Sequence, residues 1–211
     1  MLVKNDYVSK EKVVHVREND NLKDVKKVFS VSGYRCIPVL DETGEKYVGN
    51  IYKVNLLRYE SENSLDTPLD KALISDRDIT NSVQEDDPFF KVFSTIRQLP
   101  YLAVVDEAKN FQGILTNGNV IQVLENAWGV HNGSYSLTIG TVEYQGALQQ
   151  MLQIINEHCS VQSVITLNND TQFVRRICIV LPENVDERTM KNVVNDLEEQ
   201  KFTLTDIEKL N

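Results

Sequence analysis

The chain repeats itself, and that duplication limits its fold more than any single motif does. Residues 36–57, CIPVLDETGEKYVGNIYKVNLL, run parallel to residues 101–124, YLAVVDEAKNFQGILTNGNVIQVL. Val39-Leu40-Asp41-Glu42 falls on Val104-Val105-Asp106-Glu107 at an offset of 65, and Gly49 falls on Gly113 at an offset of 64. Upstream, Asp20-Asn21-Leu22 and its helix-like run fall on Asp86-Asp87-Pro88 and its run. Residues 1–125 therefore read as two copies of one unit of about 60 residues.

The order of elements is the same in both copies. A short strand comes first, Val13–Val16 in copy one and Ile79–Thr80 in copy two. Glu18-Asn19-Asp20-Asn21 and Glu85-Asp86-Asp87-Pro88 then supply helix starts, since Asp and Asn accept from free backbone N–H groups and suit the dipole. The helices carry Leu22, Val25, Val28 and Phe29, and Phe89, Val92, Phe93 and Ile96, at helical spacing. A strand ending in Asp, a turn (with Gly44 in copy one) and a strand reached through glycine follow. Helices over 55–60 and 118–127 close the units.

This β-α-β-β-α order resembles the CBS domain, and the tandem resembles a CBS pair. The resemblance rests on Ile37-Pro38-Val39-Leu40-Asp41 and Val48-Gly49-Asn50-Ile51 in copy one. In copy two it rests on Ala103-Val104-Val105-Asp106 and Gly113-Ile114-Leu115-Thr116. It implies CBS units over 1–66 and 67–130.

After Trp128 the pattern changes, and residues 126–133, with Gly129 and Gly133, read as a linker. Beyond it the alternation of Ser134–Val142 predicts a strand. A helix over about Gln145–His158 follows, with Leu148, Met151, Leu152 and Ile155 on one face. Val161–Leu167 and Phe173–Leu181 form a hairpin around Asn168-Asn169-Asp170. A helix over Asp186–Gln200 and a strand over Phe202–Lys209 complete β-α-β-β-α-β, a ferredoxin-like order. With Glu143-Tyr144-Gln145-Gly146-Ala147-Leu148 at the first turn, residues 131–211 resemble an ACT domain. Gln145 stands where that family has proline. The resemblance implies either an amino-acid site near Tyr144, Gln145 and Gly146 or a unit that only dimerises. The expected fold class is thus α/β (α+β): tandem CBS units and a C-terminal ferredoxin-like ACT domain.

Charge narrows the partners. The 211 residues carry 22 basic and 31 acidic side chains, and both the first 132 residues (16 against 20) and the rest (6 against 11) are acidic. A nucleic-acid surface needs clustered cations to displace counterions, so none is expected. A small-anion pocket needs only two or three donors. No stretch is apolar and long enough for a membrane span, and no signal peptide is seen. Three cysteines, Cys36, Cys159 and Cys178, suit neither a disulfide framework nor a zinc site, which points to the cytoplasm. The three histidines, His15, His131 and His158, assemble no nucleophile-base set, and Asp76 and Asp78 flank Arg77 as a solvated turn. No catalysis and no metal or other cofactor are expected.

The binding residues follow from the resemblance. The family's nucleotide motif, Gly-h-h-Thr/Ser-x-x-Asp/Asn, matches Gly113-Ile114-Leu115-Thr116-Asn117-Gly118-Asn119. There Thr116 has a hydroxyl for a phosphate oxygen and Asn119 an amide for a ribose hydroxyl; the same two residues would serve equally as a helix cap. Copy one has Tyr52-Lys53-Val54-Asn55 instead, with Lys53 and Asn55 near a helix start. Glu11–Val16 and Gly33–Asp41 resemble a subgroup of Firmicute CBS-pair proteins that binds cyclic di-AMP. That likeness places Lys12, Val14, Arg35, Cys36 and Ile37, with Thr80, at the ligand. Lys12 and Arg35 would make charge-assisted bonds to a doubly anionic ligand, or would be a solvated strand flank and a helix C-terminal cation. The subgroup's two basic residues after the threonine are Asn117 and Gly118 here. The expected function is a non-catalytic sensor of cyclic di-AMP, with AMP, ATP or S-adenosylmethionine as alternatives. An amino-acid-responsive regulator acting through the ACT half is a further alternative. The expected partners are a second copy of the chain in a homodimer and an enzyme or transporter.

Overall fold

The computed structural model describes residues 3–75, 81–141, 145–168 and 175–210. The chain divides into two compact units, Met1–Val120 and Ile121–Asn211. The mixed α+β class expected from the sequence is the class observed.

In the first unit, copy one contains β2 (Val16–Arg17), α1 (Leu22–Ser32), β3 (Cys36–Leu40), β4 (Tyr47–Tyr52) and α2 (Lys53–Glu60). Asn21 caps α1 by accepting from the Lys23 N–H, and Gly33 ends it in the left-handed region at φ 72°. Leu22, Val25 and Phe29 on the inner face of α1 pack with Ile37, Val39 and Ile51. Copy two repeats this with β6 (Val83–Gln84), α3 (Phe90–Thr95), β7 (Tyr101–Val105), β8 (Phe111–Thr116) and α4 (Asn117–Trp128), whose residues from Ile121 on belong to the second unit. The hairpins are superimposable in register. Cys36 pairs Tyr52 and Val39 pairs Gly49, just as Tyr101 pairs Thr116 and Val104 pairs Gly113, with a bulge at the same place in each.

The aspartates at the ends of β3 and β7 explain why the repeat keeps them. Asp41 Oδ1 accepts from the N–H groups of Glu45 (2.8 Å) and Lys46 (3.0 Å). Asp106 accepts from the Asn110 N–H (2.8 Å) and its side-chain amide (2.9 Å). Each carboxylate closes its own hairpin turn, and each is held below the usual carboxylate range. The Lys46 N–H is the chief favourable cause for Asp41, and the Asn110 side chain for Asp106.

The first strand of copy one begins later than the expected Val13–Val16. In copy one it is Val16–Arg17, parallel to β3, and residues 10–12 form a 3-10 turn. In copy two it is Val83–Gln84; Ile79–Thr80 lie outside the described residues, as do Asp76, Arg77 and Asp78. The reason is an exchange. β1 (Val8–Ser9) precedes copy one but pairs with β8, and β5 (Ile74–Ser75) precedes copy two but pairs with β4. The two sheets are therefore β2-β3-β4-β5 and β1-β8-β7-β6. Gly49 and Gly113 are where the exchanged strands cross. A Cβ at Gly49 would lie 2.6 Å from Ile74 Cγ2, and one at Gly113 would overlap the Val8 carbonyl and the Tyr7 ring.

In the second unit, β9 (Gly133–Thr141), α5 (Ala147–Asn156), β10 (Ser163–Asn168), β11 (Arg175–Pro182), α6 (Glu187–Glu199) and β12 (Thr203–Lys209) give the expected β-α-β-β-α-β order. The antiparallel sheet runs β10-β11-β9-β12. Leu137, Ile139, Ile177, Ile179 and Leu181 of the sheet bury Met151, Ile155, Val193 and Leu197 of the helices. Asp186 caps α6 by accepting from the Thr189 N–H at 2.7 Å. The expected linker is shorter than its glycines implied, because α4 runs to Trp128 and Gly133 already belongs to β9. Gly133 is packed so closely on Val180 that no Cβ fits there. Among the described residues no helix is long and apolar enough to cross a membrane.

Candidate functional site

A cleft of about 450 Å³ opens in the first unit, inside the size range of small-molecule sites. One wall is the N-terminal segment that carries the exchanged strand, through Val8, Lys12, Val13 and Val14. A second is the α1–β3 corner, through Gly33, Tyr34, Arg35, Cys36 and Pro38. Copy two closes it with Pro100, Tyr101, Ile114 and Thr116. Strand exchange builds the site, since β1 sets Val8 beside Ile114.

The lining is mostly apolar. Lys12 and Arg35 are both exposed, and neither takes part in any of the ion pairs among the described residues. The Arg35 backbone is fixed, because its carbonyl accepts from the Lys53 N–H at 2.9 Å, where α2 begins. At the floor the Tyr101 hydroxyl donates to Asn50 Oδ1 at 2.6 Å and accepts from the Cys36 thiol at 3.6 Å. Burial pushes the Tyr101 phenol well above its ordinary value, so it stays a neutral donor. An apolar slot with a hydroxyl and two exposed cations outside the ion pairs of the described residues suits a ligand that is part flat ring and part anion.

The expected site residues sort clearly. Lys12, Val14, Arg35, Cys36 and Thr116 line the cleft together. Ile37 does not, because it points into the core of copy one with no exposure. Lys53 and Asn55 sit on the first turn of α2, outside the lining. Thr80 and Tyr144 lie outside the described residues. Gln145 and Gly146 are exposed at the start of α5, with Gly146 at φ 96°. Thr116 and Asn119 bond each other: the Thr116 hydroxyl donates to Asn119 Oδ1 (2.6 Å) and accepts from the Asn119 N–H (3.1 Å), a reciprocal helix cap. Thr116 therefore has both roles weighed for it, cap and cleft wall, whereas Asn119 is only a cap partner here. Tyr101 and Tyr34 were missed. The repeat held the signal for Tyr101, which is the equivalent of Cys36.

The histidines have other partners. His15 Nδ1 lies 2.9 Å from the Val13 carbonyl, His131 Nε2 3.5 Å from Glu125, and His158 Nε2 2.6 Å from Asp196. Cys159, next to His158, is half-buried and its thiol is pushed up by burial. Among the described residues no group of three or more His, Cys, Asp and Glu side chains is placed to hold a metal ion.

Fold and cleft together define a tandem-repeat module with a cleft of small-molecule size between its two copies. The CBS domain model matches residues 3–62 and 71–126, and the chain belongs to the CBS-domain family. Among solved structures, CbpB in complex with c-di-AMP matches with a TM-score of 0.54 at 18% identity, over 59% of this chain and 85% of that one. CbpB from Streptococcus agalactiae gives 0.52 at 18%, over 58% and 78%. A hypothetical conserved protein from Geobacillus kaustophilus gives 0.52 at 28%, over 59% and 96%. Among curated proteins, Protein OPG050 of Variola virus is 31% identical over 64 residues, 30% of this chain and 79% of that one.

Proposed function

We propose that this chain is a non-catalytic regulatory protein that senses an adenine nucleotide in the cleft of its CBS pair, with cyclic di-AMP as the leading ligand. The observation that carries this is the cleft itself: Val14 and Ile114 offer apolar contact to a base, while Lys12 and Arg35 stand at it with no ion-pair partner among the described residues. CbpB, which shares the fold of the first unit, has been solved with c-di-AMP. AMP, ATP and S-adenosylmethionine are the alternatives, since one base and one anionic or polar tail would engage the same walls. Ligand would act by its differential affinity for two arrangements of the protein, and its effect would reach a partner enzyme or transporter. The protein would work as a cytoplasmic homodimer.

The test is calorimetric titration of the chain with cyclic di-AMP, AMP, ATP and S-adenosylmethionine, with Arg35→Ala alongside. Micromolar cyclic di-AMP binding that is lost in Arg35→Ala supports the leading reading. Binding of a mononucleotide alone moves the assignment to that ligand, and silence with all four removes the nucleotide reading.

A second reading concerns the C-terminal unit, which we assign as an ACT domain from its β-α-β-β-α-β order and from Gly146 at the first turn. Arginine or phenylalanine binding abolished by Gly146→Trp would make it the sensor.

A further inference from the structure

The cleft offers its hydrogen-bond donors on one side only. The Thr116 hydroxyl lies 2.6 Å from Asn119 Oδ1, and the Thr116 backbone N–H donates to the same atom at 3.1 Å. Two donors converging on one side-chain atom make it the amide oxygen, so the hydroxyl must point its proton there. The Asn119 N–H, at 3.1 Å, takes one of the hydroxyl's two lone pairs. The Thr116 oxygen is left able to accept one more bond and to give none. The rest of the copy-two wall is no different. Tyr101 gives its phenolic proton to Asn50 at 2.6 Å, and Pro100 and Ile114 have no polar side-chain atom. Among the described residues that line the cleft, none belongs to α4, so the N–H groups at the start of that helix stand outside it. The cations, Lys12 and Arg35, stand on the other walls, on the N-terminal segment and at the α1–β3 corner.

We propose that Thr116 receives a neutral hydrogen-bond donor of the ligand, not its phosphate, so that the anionic groups face Lys12 and Arg35 and the donor faces copy two. This inference rests on the reading of the cleft as a nucleotide site, and it reverses the role that the sequence motif implied for the Thr116 hydroxyl. An oxygen that only accepts repels a phosphate oxygen and leaves a bond for a group with a proton to give. In an adenine nucleotide two neutral groups have one, the exocyclic amine of the base and a ribose hydroxyl. Thr116 is then a specificity residue, since a site built to bond a ligand's O–H or N–H rejects the analogue that lacks it.

The experiment is calorimetric titration of the full chain with cyclic di-AMP, AMP and ATP. Each is run beside its inosine counterpart, which has a carbonyl in place of the amine, and its 2′-deoxy counterpart. Thr116→Val and Thr116→Ala, which lack the hydroxyl, and Thr116→Ser, which keeps it, are titrated in parallel, with circular dichroism to confirm their folds. One counterpart is expected to bind the unaltered chain about threefold or more weaker than its parent, the size of one neutral hydrogen bond. That penalty should vanish in a folded variant without the hydroxyl and persist in Thr116→Ser. A penalty with the inosine counterpart assigns the base amine to Thr116, and one with the 2′-deoxy counterpart assigns the ribose. Counterparts that bind as well as their parent, or a penalty that survives in Thr116→Val and Thr116→Ala, overturn the inference while leaving the nucleotide reading standing. No binding of cyclic di-AMP, AMP or ATP overturns the inference, and silence with S-adenosylmethionine as well overturns the nucleotide reading with it.

Discussion

The ring of Tyr47 stacks on the ring of Phe111, with centroids 5.9 Å apart and planes 22° from parallel, and the two are the same position of the repeat. Each is the residue opposite the last position of the preceding strand, Leu40 or Val105. Lys46 and Asn110, also equivalent, form a bridge beside them. Cys36 meets Tyr101 further along. The local axis thus passes between equivalent side chains, and the core shared by the copies is built from Val13, Leu40, Tyr47, Ala103, Val105 and Phe111. This packing holds the walls of the cleft together.

The exchanged strands depend on two glycines. Gly113→Ala is expected to destabilise the chain by about 1–3 kcal/mol or more, since its methyl overlaps backbone that has no rotamer to escape into. Gly49→Ala is expected to cost less, because its methyl would meet Ile74 Cγ2 at 2.6 Å and the Ser75 carbonyl at 3.0 Å, whereas at Gly113 it would overlap the Val8 carbonyl more closely than either. Urea denaturation of both variants measures the difference, and limited proteolysis of Gly113→Ala should cut early between residues 3 and 14. Equal losses in the two would contradict this geometry.

Arg35 and Thr116 separate ligand binding from stability. Arg35→Ala removes an exposed cation without an ion pair among the described residues, so thermal stability should stay within about 0.5 kcal/mol. Affinity for the proposed nucleotide should fall roughly ten- to a hundredfold, the size of a lost charge-assisted bond. Thr116→Ala also removes the α4 cap and should cost about 1 kcal/mol of stability. A large stability loss in Arg35→Ala would mean that the guanidinium is structural.

The Tyr101–Asn50 bond is a buried pair and is expected to be coupled. Tyr101→Phe should cost about 1–3 kcal/mol by taking the hydroxyl bond from Asn50. The double variant Tyr101→Phe/Asn50→Leu should cost less than the sum of the single ones, with a coupling of about 0.5–3 kcal/mol. Strict additivity in chemical denaturation would show that the 2.6 Å contact carries no energy.

Acid should weaken the hairpin turns. Asp41 and Asp106 have carboxyls held below their unfolded values, so the charged form is favoured in the fold. Their contribution is fully present above the ordinary aspartate range, about pH 4, and is lost as pH falls through the lower folded values. The urea midpoint should therefore drop below about pH 4. The slope should be shallower in Asp106→Asn, which does not titrate and keeps an acceptor for the Asn110 N–H while losing those for the Asn110 and Gln112 amides.

Alkali should release the N-terminal segment. The Tyr7 hydroxyl donates to Glu85 at 2.6 Å, and its phenol is pushed up to about 12, first by partial burial and then by that carboxylate. The folded value is above the unfolded one, so the neutral tyrosine contributes fully below about pH 10 and the contribution is lost as pH rises toward 12. Ultraviolet phenolate titration should show one late tyrosine fewer in Tyr7→Phe, with the buried Tyr101 still titrating late. That variant should also be cut faster in the segment carrying Val8 and Lys12.

The residues themselves determined the duplication, the helix faces and the buried hairpin strands, because these are local. Period, capping and turn chemistry act within about ten residues, and the repeat shows each pattern twice. Asp41 and Asp106 were legible as turn residues for that reason, and Lys12, Arg35 and Thr116 as cleft residues through resemblance. The tertiary structure alone decided the strand exchange, the short first strands at Val16 and Val83, the inward direction of Ile37 and the bond from Tyr101 to Asn50 across the two copies. Those outcomes depend on which chain segments meet across 51 to 106 positions of sequence, as Tyr101 meets Asn50 and Val8 meets Ile114. Contacts at that distance are set by packing volume and close backbone approach, which no window of neighbouring residues records.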